Sequence, residues 1–394
     1  MKKISSQERV YFPNLNGLRA IGACIVMIGH IDFIKMLWGI QVNQWFPIPG
    51  KIGVGLFFSL SGFLITSLLF NELEITHTIR LKDFYIRRIL RIWPLYYMIV
   101  LLGIFVLNRI PALKIPLLSD RMYQTMDFLK ILNIALIIPN FTHFYIPYSD
   151  QRWSIIVEEQ FYLIQPAILR IFRKRKTLLI VLCVLVFSSE ILRLLALGLH
   201  LDKHISTNFL DPTYEQLKYL GCIAVGCVFS VLYYKRESLT RNFLYRKYTQ
   251  ILVLLILIAC TLISFYVVHN EEYFDYRIYC FLFSIVVVNA AQNPKTIYRL
   301  EHPVLNFLGK ISYGIYMYHM ACIGIAYYFA RSFFPTGVVQ EIVLFILSVT
   351  LTIFVSWISF TYFESFFLKL KPGLQSLVNR ATRQKGSGQQ QAAS

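Results

Sequence analysis

The chain has 394 residues, of which 56% are hydrophobic and only 15% charged, with a net charge of +18 and a mean hydropathy of +0.55. Soluble domains carry about a quarter charged residues. A single water-soluble core is therefore excluded, and the apolar runs recur along the whole length instead of forming one anchor. The positive charge would suggest nucleic acid in a soluble protein; here it is assigned to loops that fix membrane topology, and no nucleic-acid partner is expected.

The fold class expected is all-α: a polytopic integral membrane helical bundle of about ten transmembrane helices, with one re-entrant or interfacial segment. The spans fall at 14–34, 52–72, 92–108, 153–170, 177–199, 214–234, 249–268, 276–291, 311–330 and 339–363. With the N-terminus inside, 26 basic residues fall on inner segments and ten on outer ones, which places both termini in the cytoplasm. The piece DFLKILNIALIIPNF (127–141) has a short apolar core, and a full crossing there would put the cluster at 173–176 outside. It is read as re-entrant or interfacial. Residues 1–366 form the membrane unit, and 367–394 a cytoplasmic tail whose end, KGSGQQQAAS, reads as flexible or appended. The first apolar run lacks a small-residue cleavage site. All seven cysteines lie in apolar runs without disulfide or zinc spacing, so they are assigned to packing and no metal is expected.

The first span, GLRAIGACIVMIGH, opens with Arg19 and closes with His30. Eleven residues at about 100° each return to within about 20° of register, so the two share a helix face, about 16.5 Å apart along the axis. Arg19 admits two readings, a snorkelling interface residue or part of a site; His30 likewise is either a packing histidine or functional. Intramembrane ionisable groups are costly and usually mark a pathway or a site. The second span carries Gly53, Gly55, Ser59, Ser61 and Gly62, which suit close helix packing and leave open a polar lining beside His30. FYIRRILRIWPLYY (84–97) follows, with Arg87, Arg88 and Arg91 at the inner interface. These fix topology or touch anionic headgroups, and guanidinium forks also suit bidentate phosphate binding. Pro94 is placed in the first turn of its span, where the missing N–H is harmless.

RWSIIVEEQFYLIQP (152–166) enters from outside. Glu158 then lies about 9 Å below the outer boundary and His30 about 7 Å below it, so a carboxylate and an imidazole reach one depth. Glu158, Phe161, Tyr162 and Gln165 form one stripe, with Glu159 turned about 100° away. Further on, Glu190 and Arg193 at i, i+3 are expected to pair. His319, with Tyr316 and Tyr313 before it, is read as either support for the site or packing.

Taken together these pieces resemble the acyltransferase-3 family of integral membrane acyltransferases. LNGLRAIGACIVMIGH resembles its arginine–ten residues–histidine motif, GVGLFFSLSGFLIT its second-span motif and RRILRIWPLYY its Arg-x-x-Arg motif. WSIIVEEQFYLIQP and LGKISYGIYMYH (308–319) resemble two later motifs, and the order matches over roughly 14–365. Asn16 stands where an aspartate is common, and TYFESFF (361–367) has Phe366 where the closing motif has proline.

The resemblance implies an acyl-CoA donor, acetyl-CoA by default, reached from the cytoplasm. It implies a hydroxyl acceptor on a glycan or lipid-linked glycan, in the inner membrane of a bacterium. The positions matching its motifs are Arg19, His30, Arg88, Arg91 and Glu158, with Arg87 beside them for acyl-CoA and Ser61, Tyr316 and His319 as support. The expected mechanism has a His30–Glu158 pair as general base, by triad logic with the substrate hydroxyl in place of serine. Members often carry a fused outer esterase-type domain; the expectation here is a stand-alone enzyme. A small-molecule acceptor such as an antibiotic or a lipid stays open. So does a proton-coupled transporter, which an intramembrane His and Glu also suit, although no inverted halves are visible.

Overall fold

The computed structural model describes residues 11–39, 50–115, 146, 148–198, 207–235, 239–268 and 274–370. The segment read as re-entrant, 127–141, and most of the tail lie outside the described residues. Within them the secondary structure is helical and no strand occurs.

Helices occupy all ten expected positions. They are α1 (Leu15–Leu37), α2 (Gly50–Thr76), α3 (Leu81–Leu101), α4 (Arg152–Ile171), α5 (Arg175–Val186), α6 (Ser188–Gly198), α7 (Thr207–Tyr233), the short α8 (Leu239–Leu244), α9 (Lys247–Leu262), α10 (Tyr276–Gln292), the short α11 (Pro303–Lys310), α12 (Ser312–Phe333) and α13 (Val338–Ile358). Six of these helical stretches are long and apolar enough to cross a membrane: α1, α2, α3 to Val106, α7, α9 to Val267, and α13 to Leu370. The pair α5–α6, bent by 61°, makes a seventh if it is one span. The protein is thus an integral membrane helical bundle, and the count of ten is not reached on length and apolarity. The physical reason is composition: α4 carries Arg152, Glu158, Glu159 and Arg170, and α10 has only 17 residues.

Two details differ from expectation. The third helix begins at Leu81, well before the span expected at 92–108, so Pro94 lies inside it. Its missing N–H leaves the Leu90 carbonyl without the usual helical donor. Glu190 does not pair with Arg193. Arg277, from α10, donates to Glu190 Oε1 at 2.5 Å and to Asp275 Oδ1 at 2.8 Å, while the Arg193 guanidinium lies 5.2 Å from the Tyr214 ring centroid. A cross-helix fork satisfies two carboxylates at once, which an i, i+3 pair does not.

The second helix is the axis of the bundle, with 72% of its apolar window buried. Its small residues let neighbours approach. A Cβ at Gly62 would run into the Ile223 carbonyl oxygen of α7, and one at Gly226 into that of Ser59. Ser67 and Ser230 hydrogen-bond across the same contact at 2.8 Å. Gly53 packs against the Gly22 carbonyl of α1 in the same way. The packing reading of this motif therefore holds for Gly53 and Gly62. Peripheral helices instead turn Leu252, Leu255 and Ile258 of α9, and Ile342, Ile346 and Phe354 of α13, outward, as lipid requires. Gly62→Val is expected to cost about 1–3 kcal/mol or more. The measurement is the thermal midpoint of the protein in detergent, and an unchanged midpoint would refute this account of the α2–α7 contact.

Candidate functional site

Helices α1, α2, α3, α4 and α12 enclose a cavity of about 100 Å³, lined by Arg19, Ser61, Arg88, Arg91, Glu158, Tyr162 and Tyr316 among others. Each arrives by helical periodicity. Arg88 and Arg91 project from one face of α3 at i, i+3; Glu158 and Tyr162 project from one face of α4 at i, i+4. Tyr162 donates to Glu158 Oε1 at 2.6 Å, and Ser61 donates to the same oxygen. Ser61 is therefore a lining residue, unlike its glycine neighbours. The Arg88 guanidinium sits 5.0 Å from the Tyr162 ring centroid and 5.6 Å from that of Phe84, within cation–π range.

Arg19, Arg88 and Arg91 repel one another and are drawn by Glu158. Arg91 is exposed and marks the mouth of the cavity. Behind it Glu364, buried in a π-helical turn at the end of α13, faces Arg91 and accepts from Ser359 at 3.3 Å. Arg19 also reaches Asn16 Oδ1 at 3.5 Å. Arg87 does not line this cavity: it pairs with Glu72 at 3.3 Å. Glu159, the other half of the Glu–Glu pair, accepts from Trp93 Nε1 at 2.7 Å.

His30 lies next door. Its Nδ1 is 2.7 Å from the Val26 carbonyl, which only accepts, so Nδ1 donates and in the neutral ring the lone pair falls on Nε2. The ring centroid is 4.9 Å from that of His319, at 69°. His319 is fully buried and repeats the arrangement, with Nδ1 2.7 Å from the Tyr316 carbonyl. Its Nε2 has no hydrogen-bond partner among the described residues. The first residue of α2, Gly50, rests on His30: a Cβ there would stand 2.9 Å from the ring.

His30 and Glu158 thus take separate hydrogen-bond partners. Tyr316 is the link between the two groups. It lines the arginine cavity, its ring lies 5.8 Å from that of His319, and its hydroxyl lies 2.5 Å from Ser154 Oγ. The sequence alone places Tyr162 on the α4 stripe without a role and does not reach Ser154; Glu364 falls in TYFESFF (361–367), likened to a closing motif but given no role. For Tyr162 the i, i+4 spacing from Glu158 is the available signal; for Glu364 no local spacing points to α3.

A helical membrane bundle that gathers three guanidiniums about one carboxylate, beside two imidazoles, holds groups chemically able to bind an anion and to move a proton. The chain belongs to the acyltransferase-3 family: the family's sequence profile, described as an acyltransferase domain, matches residues 12–361. A Staphylococcus aureus (strain MRSA252) protein with the provisional name O-acetyltransferase is 28% identical over 94% of this chain and 59% of its own length. The O-acetyltransferase OatA of Staphylococcus aureus (strain NCTC 8325 / PS 47) is 27% identical over 90% of this chain and 57% of its own. The peptidoglycan O-acetyltransferase OatA of Listeria monocytogenes is 36% identical over 44% of this chain and 26% of its own. The chain thus spans under three fifths of the length of the Staphylococcus relatives. No solved structure matches it.

Proposed function

We propose that the chain is an O-acyltransferase of the cytoplasmic membrane, with ten crossings and both termini inside. It moves an acyl group, acetyl by default, from cytoplasmic acyl-CoA to a hydroxyl of a cell-envelope glycan. The observation that carries this reading is the imbalance of charge in the cavity. Arg19, Arg88 and Arg91 face Glu158, with Glu364 behind Arg91. A membrane-embedded cluster of this kind is completed by an anionic ligand, and coenzyme A offers a diphosphate and a ribose phosphate. At about 100 Å³ the cavity takes a phosphate group or a thin pantetheine arm, with the nucleotide outside the exposed Arg91. Glu158, held by Tyr162 and Ser61, serves the donor side by setting the arginines.

His30 is the base. Its Nε2 takes the proton of the acceptor hydroxyl as that oxygen attacks the thioester carbonyl. The new C–O bond forms, the C–S bond breaks, and the proton passes on to the leaving thiolate. His319 and Tyr316 hold the His30 ring in place. The expected His30–Glu158 pair then acts as two halves, with Tyr316, which lines the arginine cavity and touches His319, between them. The peptidoglycan named for the Listeria relative is one glycan of the acceptor class.

The test is release of free thiol from acetyl-CoA by purified protein. Release that rises on adding a glycan acceptor is expected; no release under any condition, as a transporter would give, would end the reading.

A further inference from the structure

A second cavity, of about 410 Å³, opens at the first turn of α2 and is larger than the arginine cavity. It lies among α6, α7 and the starts of α2 and α10, with Arg193, Tyr214, Glu215, Lys218 and Asp275 in its wall. Its size falls within the range of about 300–1,000 Å³ typical of small-molecule sites.

Its chemistry is specific in three ways. First, charge balances. Glu190, Asp211, Glu215 and Asp275 face Lys51, Arg193 and Lys218, and Arg277 holds both Glu190 and Asp275. A phosphate or polyanion gains no net attraction from such a wall, in contrast with the arginine cavity. Second, Tyr214, Tyr219, Tyr276, Tyr279 and Phe274 supply rings with an apolar face, four of them with a polar tip. Third, carboxylates and cations share the wall, so it offers both donors and acceptors. Aromatic faces together with charged donors and acceptors match a sugar ring, which has C–H faces and a rim of vicinal hydroxyls.

The position fits as well. Phe58 lines the arginine cavity, and its ring lies 6.1 Å from that of Tyr219 and 6.4 Å from that of Tyr276, both in the second cavity. Trp153 closes the same wall, 4.7 Å from Tyr219. One layer of aromatic rings separates the two cavities. The first turn of α2 places Gly50 on His30 and Lys51 in the second cavity.

The geometry points to the second cavity as the acceptor subsite, taking a neutral carbohydrate segment whose reacting hydroxyl is directed past the first turn of α2 toward His30. This rests on the O-acyltransferase reading and names where its acceptor binds. The experiment uses the full chain in lipid nanodiscs, with acetyl-CoA and a tetramer of N-acetylglucosamine titrated separately and then together for transfer. Tyr214→Ala and Glu215→Gln are expected to weaken tetramer binding about tenfold each, the size of one lost ring face or one charge-assisted hydrogen bond. Acetyl-CoA binding reports whether each variant is folded. Tetramer binding unchanged in both folded variants overturns the inference, as does no tetramer binding to the unaltered chain. If acetyl-CoA also fails to bind the unaltered chain, the donor reading falls separately.

Discussion

His30→Ala is expected to fold normally and to transfer acyl groups about 10²–10⁴-fold more slowly, the contribution of a positioned general base. Normal folding is expected because the His30 side chain makes one hydrogen bond, to Val26 of its own helix, and meets two rings edge-on, the buried His319 and Phe33 of its own helix. Truncation leaves space beside Gly50 and removes no contact between α1 and α2 at Gly22 and Gly53. The measurement is the single-turnover rate of the variant at saturating acetyl-CoA, with elution from a sizing column as the fold control. A full rate in folded protein would remove the base assignment. His319→Gln separates support from chemistry. An amide retains a donor toward the Tyr316 carbonyl without a titrating ring, so a supporting His319 predicts a modest loss and an unmoved pH profile.

Much of this arrangement was legible in the sequence, and the exceptions share one cause. Periodicity along one helix places residues well. The α4 stripe puts Glu158 on Tyr162 and sends Gln165 to Thr66 at 2.5 Å, while Glu159 turns to Trp93. Arg88 and Arg91 share a cavity as their spacing requires. What a single helix cannot reveal is the azimuth of its neighbours. Counting residues from the membrane boundary set His30 and Glu158 at one depth, but depth is one coordinate of three, and Tyr316 stands between their groups. The same gap explains Glu190, whose partner came from α10, and Arg87, which shares a motif with Arg88 yet turns to Glu72. The span count is left unconfirmed for a different reason. Hydropathy falls where a helix is polar for the sake of a site, and α4 is such a helix.

Arg87 and Arg91 supply the sharpest test of the donor side, because they lie one helical turn apart and only Arg91 lines the cavity, while Arg87 is paired with Glu72. Arg91→Ala is expected to weaken acetyl-CoA binding by about 10–100-fold, the loss of a charge-assisted hydrogen bond worth about 1.5–3 kcal/mol. Arg91→Lys keeps the charge but loses the planar fork, so it recovers only part of the affinity. Arg87→Ala breaks an ion pair with Glu72 whose arginine side chain is 38% exposed. Exposed pairs contribute about 0–1 kcal/mol, and acetyl-CoA affinity is expected to move about twofold or less. Isothermal titration of each variant with coenzyme A decides between two kinds of arginine cluster. Equal losses at both positions would mean that the helix attracts coenzyme A by bulk positive charge, and the cavity would then lose its claim to be the donor site. A loss confined to Arg91, deepened by Arg19→Ala from the other wall, ties binding to the cavity itself, since Arg19 and Arg91 stand 72 positions apart in the chain and only the fold brings them to one ligand.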